Sequence, residues 1–291
     1  MNLALGTVQF GLQYGVANSV GKVTQTDGSD ILQVAKKIGI DTLDTAIAYG
    51  DSEANLGAAN IEAFNVITKL PALPQDCISV ADWVQVQVNS SLKRLNRTQI
   101  DSILLHQSGD VIGQHAVEYQ GVLQSLKLQG LCNSIGVSIY APEELNIIWN
   151  HSSGWRPDII QAPFNILDQR LISSGWLKKL NAEGVRVHTR SVFLQGLLLM
   201  SSQNRPAWFN PWTPLLDRWL EWCHNQSITP LKVALNFVCN QSGIEKVVVG
   251  VDSAKQLEEI SEELSEECPK PPNDLISEDI NLINPSRWKL V

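Results

Sequence analysis

Short apolar runs alternate with longer amphipathic stretches along almost the whole chain. The first run is Leu3–Thr7. Then come Thr42–Asp44, Phe64–Lys69, Ile100–His106, Ser134–Ser138, Ile159–Gln161, Val185–Ser191 and Val247–Val251. Runs such as SILLH and KVVVGV are nearly continuous in apolar residues, which suits a parallel strand buried on both faces. The stretches between them carry helical signals. SDILQVAKKIG opens on a Ser/Asp cap signal and closes on Gly39. VADWVQVQVNSSLKRL places Val80, Trp83, Val84, Val88, Leu92 and Leu95 near a repeat of about 3.6 residues. APEELNIIWN puts Pro142 in a first turn, where its missing N–H costs nothing.

Eight strand signals, each followed by a helix signal, predict a parallel sheet with helical crossovers. At 291 residues the expected closure is a (β/α)8 TIM barrel spanning residues 1–291 as one domain. The alternative is an open doubly wound sheet, but no strand leads into GxGxxG or GxxxxGK[ST]. From about Cys268 the chain carries Pro269, Pro271 and Pro272, which exclude a helix interior. This tail is expected to wrap the barrel before a short helix near Ser277–Ile283.

A hydrophobic fraction of 44% is enough for a large core. The formal net charge of −8 argues against a non-specific nucleic-acid binder and against an anionic membrane surface. No apolar stretch approaches the ~20 residues of a membrane span. The first residues lack a basic region of the signal-peptide kind, so the expected compartment is the cytoplasm. Cys77, Cys132, Cys223, Cys239 and Cys268 are too scattered for a disulfide framework or a zinc site, and no metal is expected.

Chemistry in such a barrel sits at the C-terminal ends of the strands. The polar residues ending the predicted strands are Asp44, Lys69, His106, Ser138, Gln161 and Arg190–Ser191, with Tyr49 in the loop behind Asp44. Taken singly, each has a bland reading as a cap, a packed ring or a solvated strand end. Together they form a sensible set. A tyrosine is a poor acid near neutrality, an adjacent ammonium lowers its pKa, and a buried ammonium needs a carboxylate. A histidine can donate to a carbonyl oxygen and fix its position. That set protonates an oxygen while hydride arrives at carbon.

On these residues the sequence resembles the aldo-keto reductases. LDTAIAYGDSE is similar to the family's DTA…YG.SE segment, and VITKL, SLKRLNRTQIDSILLH, IGVS, IIQAPFN and SVFLQGLL resemble its segments in order. The resemblance implies Tyr49 as general acid/base, Lys69 tuning it, Asp44 holding Lys69, and His106 orienting the carbonyl. It implies a nicotinamide cofactor, NADP(H) over NAD(H). Gly6 and Thr7 fall where backbone approaches the nicotinamide end. Ser138 and Gln161 match carboxamide binders, with Ile139 where the family usually has Asn. Arg190 sits where an aromatic often stacks on the ring, and could instead pair with pyrophosphate. Ser191–Leu197, with Gly196, resembles the loop around the pyrophosphate. GVDSAKQLEEI aligns with the segment for the adenosine 2′-phosphate, through Ser253, Lys255 and Gln256. Gln256 and Ile260 replace the family's Arg and Asn there, leaving Lys255 as the one base. The N-terminal β-hairpin common in the family is not expected, because the first strand begins by Leu3, so side chains or the tail must cover the barrel floor.

The loop PAWFNPW brings Trp208, Phe209 and Trp212 forward as candidate walls of a substrate pocket. The expected partner is a small-molecule carbonyl compound, possible links to sugars resting on GTVQFGLQYGVAN, which resembles a bacterial subgroup tied to sugar metabolism. A monomer or small homo-oligomer is expected. Two other functions stay open at this point: a cofactor-binding regulatory subunit without catalysis, and a Schiff-base aldolase using Lys69.

Overall fold

Each apolar run forms one strand, because β-branched and aliphatic residues fill a pleated surface covered on both sides. The computed structural model describes residues 2–265 and 267–289. Its strands are β1 (Leu3–Gly6), β2 (Thr42–Asp44), β3 (Asn65–Leu70), β4 (Ile100–Leu105), β5 (Cys132–Ser138), β6 (Ile159–Pro163), β7 (Arg186–Arg190) and β8 (Lys246–Gly250). All pair in parallel in chain order, and β8 closes on β1 through Leu3↔Val247 to Gly6↔Gly250. The result is the (β/α)8 TIM barrel.

The outer helices are α1 (Gln25–Lys37), α2 (Ser52–Ala58), α3 (Val80–Leu95), α4 (Ala116–Leu128), α5 (Glu143–Asn150), α6 (Arg170–Ser173), α7 (Trp176–Ala182), α8 (Thr213–Asn225), α9 (Pro230–Cys239) and α10 (Ala254–Glu262), with α11 (Ile280–Ile283) in the tail. The periodic stripe on α3 buries Val80, Val84, Val88, Leu92 and Leu95, and Trp83 packs half-buried at its edge. Three helix starts differ from the sequence reading, among them α11, which begins at Ile280 after the cap Asp279 and not near Ser277. α1 starts one turn earlier than Ser29, because Thr24 Oγ1 accepts from the Asp27 N–H and caps it there. Gly28 is tolerated inside α1 because the Phe10 ring occupies the space its Cβ would need, 2.6 Å away. Pro142 stands at the N-cap of α5, not in its first turn.

Alternate strand residues face the barrel interior. There Ile67, Leu104 and Ile159 form an apolar cluster separate from the main core. Gly136 leaves room for it, since a Cβ there would lie 2.2 Å from Ile159 and 2.4 Å from Leu104. This plug divides the interior into two polar ends. At the floor, Asp41, Ser134, Arg186, His188, Glu245 and Lys246 line a polar cavity. Side chains therefore finish the floor. The tail packs elsewhere: Leu275, Leu282 and Ile283 are buried with Leu194, Leu197 and Phe209, and the Ser277 N–H donates to Leu167 O at 2.9 Å. Among the described residues no strand precedes β1.

Candidate active site

Three strand ends and one loop build the mouth. Asp44 closes β2, Lys69 lies in β3, and His106 follows β4 directly. Tyr49 sits in the loop before α2, and that loop is held tightly. A Cβ on Gly11 would lie 1.7 Å from the Tyr49 carbonyl oxygen, so only glycine permits this approach. Beneath it, Ser52 Oγ donates to Thr7 O at 2.8 Å, and Thr7 donates through N and Oγ1 to Asp44 O at 2.9 and 3.0 Å.

Lys69 Nζ lies 2.6 Å from Asp44 Oδ2 and donates to Thr45 O at 2.9 Å. The other carboxylate oxygen, Oδ1, accepts from Gln161 Nε2 at 2.6 Å. Both partners are buried, and the Lys69 side chain is 1% exposed. A lysine this buried, with its ammonium against Asp44 and Thr45, has no open side to a carbonyl carbon. Its Nζ lies 5.1 Å from the centroid of the Tyr49 ring. The His106 ring meets Tyr49 edge-on, with centroids 5.6 Å apart.

Burial dominates the ionisation of the group. It pushes Lys69 down, against the upward pull of Asp44. It pushes His106 down to about 4, helped by the Lys69 ammonium, so the ring is neutral over the physiological range. Tyr49 is raised, by burial first and by the Asp44 carboxylate second, with Arg190 opposing. The phenol therefore stays protonated in the free protein. The lowering expected from Lys69 is not seen, because burial, and after it the Asp44 carboxylate, hold the phenol up.

A cleft of about 370 Å³ reaches Asp44 and Tyr49 of this group, but not Lys69 or His106, and runs past β1 to β8 and α10. Of the cofactor residues proposed from sequence, Gly6, Thr7, Arg190, Ser191, Gly196 and Gln256 line it. Ser138 and Gln161 are 2% and 1% exposed and lie beneath the cleft surface. Ser253 caps α10, its Oγ accepting from the Gln256 N–H. Lys255 points outward, 83% exposed and 3.5 Å from Glu259. Arg190 lies over the Tyr140 ring at 4.6 Å and donates to Ile139 O at 3.1 Å.

Trp208, Phe209 and Trp212 do not line the cleft. Phe209 is fully buried, edge-on to Trp288 at 4.8 Å between centroids, and Trp212 donates to Asp279 Oδ2 at 2.9 Å. The tail thus packs against Phe209 and Trp212, and Trp208 stacks at a tilt on Trp212 with centroids 6.3 Å apart.

Residues not foreseen complete the cleft: Gln9, Tyr14, Asn18, Asp252 and Glu259. The β1–α1 loop forms a strap between two other loops. Tyr14 Oη accepts from Gln195 Nε2 at 3.1 Å, and Asn18 Nδ2 donates to Asp252 Oδ1 at 3.0 Å. Gly196, at φ +91°, fits against Ala17, where a Cβ would come within 2.4 Å. The loop after β7 also holds Ser191, Leu194 and Gln195 at positive φ. Such strain in non-glycine residues concentrates at functional sites. The signal for the strap was the run GLQYGVAN, too polar and glycine-rich for a helix.

A family model described as "Aldo/keto reductase family" matches residues 2–276. The chain is 24% identical to "Oxidoreductase sirO" of Leptosphaeria maculans, covering 88% of this chain and 86% of that one. It is 26% identical to "L-galactose dehydrogenase" of Arabidopsis thaliana, covering 88% and 83%. In fold it is similar to "aldo-keto reductase AKR11C1 from Bacillus halodurans (holo form)", with TM-score 0.74, 22% identity and coverage of 93% and 88%.

Proposed function

The chain belongs to the aldo/keto reductase family, and we propose that it reduces the aldehyde or ketone group of a small sugar-related substrate, with a nicotinamide dinucleotide held in the cleft. The observation that carries this reading is the buried Asp44–Lys69 pair, at 2.6 Å, under a protonated Tyr49 that opens on the cleft. The dinucleotide supplies hydride when bound. The cleft suits such an elongated group. Gly6 and Gly250 line it, the Gln9 side chain lies against Gly250, and Gln9 Oε1 is buried there without a protein partner.

Tyr49 holds its proton at Oη and gives it to the substrate oxygen as negative charge develops there. His106 is neutral and donates one N–H to the same oxygen, fixing the carbonyl between the two rings. Lys69 supplies a fixed positive charge below Tyr49 that favours the phenolate once the proton has left. Asp44 keeps that charge in place and is itself oriented by Gln161. Arg190 adds a second cation at the mouth, favouring the phenolate in the same sense.

The sugar relation rests on the similarity to the L-galactose dehydrogenase. The test is purified protein with NADH or NADPH and a panel of aldoses, simple aldehydes and ketones, following loss of dihydronicotinamide absorbance. Turnover of an aldose, abolished by Tyr49→Phe, is expected. Binding of dinucleotide with no turnover across the panel would leave the catalytic reading without support.

A further inference from the structure

Resting on the reading of the cleft as a dinucleotide site, we propose that its far end is built for an adenosine ribose with a free 2′-hydroxyl, so that the protein binds NADH more tightly than NADPH. This is the reverse of the preference that Lys255 leads one to expect from sequence.

The direction of the nucleotide follows from the chemistry. Hydride must reach a carbon whose oxygen is within hydrogen-bond reach of Tyr49, so the nicotinamide lies at the Tyr49 end. The adenosine end then falls among Gly250, Asp252, Gln256 and Glu259, where the cleft meets β8 and α10. The 2′-phosphate of NADPH carries nearly two negative charges near neutrality. It needs a cation or a set of open N–H donors.

The far end is lined by no cation among the described residues, and two of its backbone donors are engaged within the protein. Among the described residues Arg190 is the only Lys or Arg lining the cleft. It belongs to the nicotinamide end, where it acts on Tyr49 and His106. The far end presents two carboxylates, Asp252 and Glu259. Lys255 is drawn toward Glu259, and its 83% exposure leaves the charge screened by water. These three side chains together carry one net negative charge.

Two of the backbone donors there are engaged as well. The N-terminus of a helix such as α10 attracts phosphate through its first N–H groups. Here the Gln256 N–H is taken by Ser253 Oγ at 3.2 Å, and the Asp252 N–H by Gln256 Oε1 at 2.7 Å. Gln256 thus folds its carbonyl back on the loop, in a place where a basic side chain would reach outward. A carboxylate accepts a hydrogen bond from a ribose hydroxyl and repels a phosphate at the same spot. Burial holds the Asp252 carboxyl above its ordinary range, a condition that a hydroxyl donor relieves and a phosphate worsens.

The experiment titrates the full chain by calorimetry with NADH, NADPH, ADP-ribose and 2′-phospho-ADP-ribose, at low and high salt. The unphosphorylated member of each pair should bind roughly tenfold more tightly at low salt, and the gap should narrow as salt rises. Asp252→Asn combined with Glu259→Gln should strengthen the phosphorylated ligands toward the others, with melting curves checking that the fold is kept. Tighter NADPH than NADH in the native protein, or equal changes for both forms in the variant, overturns the assignment of the far end and leaves the dinucleotide reading standing. If neither dinucleotide binds, the reading of the cleft fails and this assignment falls with it.

Discussion

Replacing Asp44 with Asn tests the ion pair on which the mouth is built. Lys69 Nζ lies 2.6 Å from Asp44 Oδ2, with side chains 1% and 5% exposed. Asparagine keeps the shape and removes the countercharge. The ammonium then has two ways to respond. It can stay charged, and breaking a buried pair from one side costs roughly 3–5 kcal/mol. It can also lose its proton, which costs about 4.6 kcal/mol at pH 7 and about 1.9 kcal/mol at pH 9, counted from a free value of about 10.4. The cheaper response sets the loss, so the deficit is roughly 3–5 kcal/mol at pH 7 and about 2 kcal/mol at pH 9. The sign follows from burial, which already pushes Lys69 down against Asp44. With its folded pKa below the unfolded one, the unfolded chain binds more protons in that window, and the variant gains stability on wild type as pH rises. Urea unfolding at both pH values reads the difference directly. Adding Lys69→Met should recover part of the pH 7 loss, because it removes the stranded charge. Carbonyl reduction should fall in either single variant and little further in the double, since both lesions remove one charged pair. A deficit that is equal at both pH values, or losses in log(kcat/KM) that simply add, would refute the pairing.

Three further outcomes are expected. Tyr49→Phe keeps the ring and removes the proton donor, so dinucleotide affinity should stay near wild type while turnover drops by about 10² or more; a parallel loss of binding would mean that Tyr49 holds ligand and does not transfer a proton. His106, held down at about 4, is neutral in the native state while an unfolded histidine titrates near 6.5. Native stability should therefore decline as pH falls from about 6.5 toward about 4, the unfolded chain taking the extra proton, and His106→Gln should remove that part of the slope. An NMR titration of the ring with a midpoint near the free value would contradict this. Phe209→Ala should cost roughly 3–5 kcal/mol of stability as a buried cavity, while Trp212→Ala leaves KM for small carbonyls unchanged; a large KM effect of Trp212→Ala alone would return that loop to the substrate site.

The barrel was legible because its strands are buried on both faces. Such strands read as short continuous apolar runs, and all eight lie within two residues of where the runs fall. Helix ends were harder to place. At α1 the cap that wins is Thr24, which carries its own partner in Asp27, over Ser29, whose hydroxyl instead donates back to Gln25 O at 3.0 Å inside the helix. Both residues are good caps by type. Gly28, just before Ser29, lies inside the helix against the Phe10 ring, a contact between segments that no local pattern contains.

The same division runs through the site. Asp44, Lys69 and His106 are legible because strand ends converge wherever parallel strands close into a barrel, so position along the strand already fixes position in space. Gln9, Tyr14, Asn18 and Asp252 reach the cleft by a different route. They lie on loops whose paths are set by one another, as when Asn18 bridges to Asp252 at 3.0 Å across 234 residues of chain. The aromatic loop shows the converse. Trp208, Phe209 and Trp212 have the composition of a pocket wall, and Trp288 and Asp279 of the proline-rich tail meet Phe209 and Trp212. Composition records that an aromatic must be covered, and the topology decides whether substrate or the protein's own tail does the covering. Electrostatics obeys the same rule. Lys69 beside Tyr49 suggested a lowered phenol, yet burial first and the Asp44 carboxylate second keep the proton on Tyr49. Under the proposed reaction that outcome suits a residue that must donate, and it leaves Lys69 and Arg190 to act on the phenol as the proton departs.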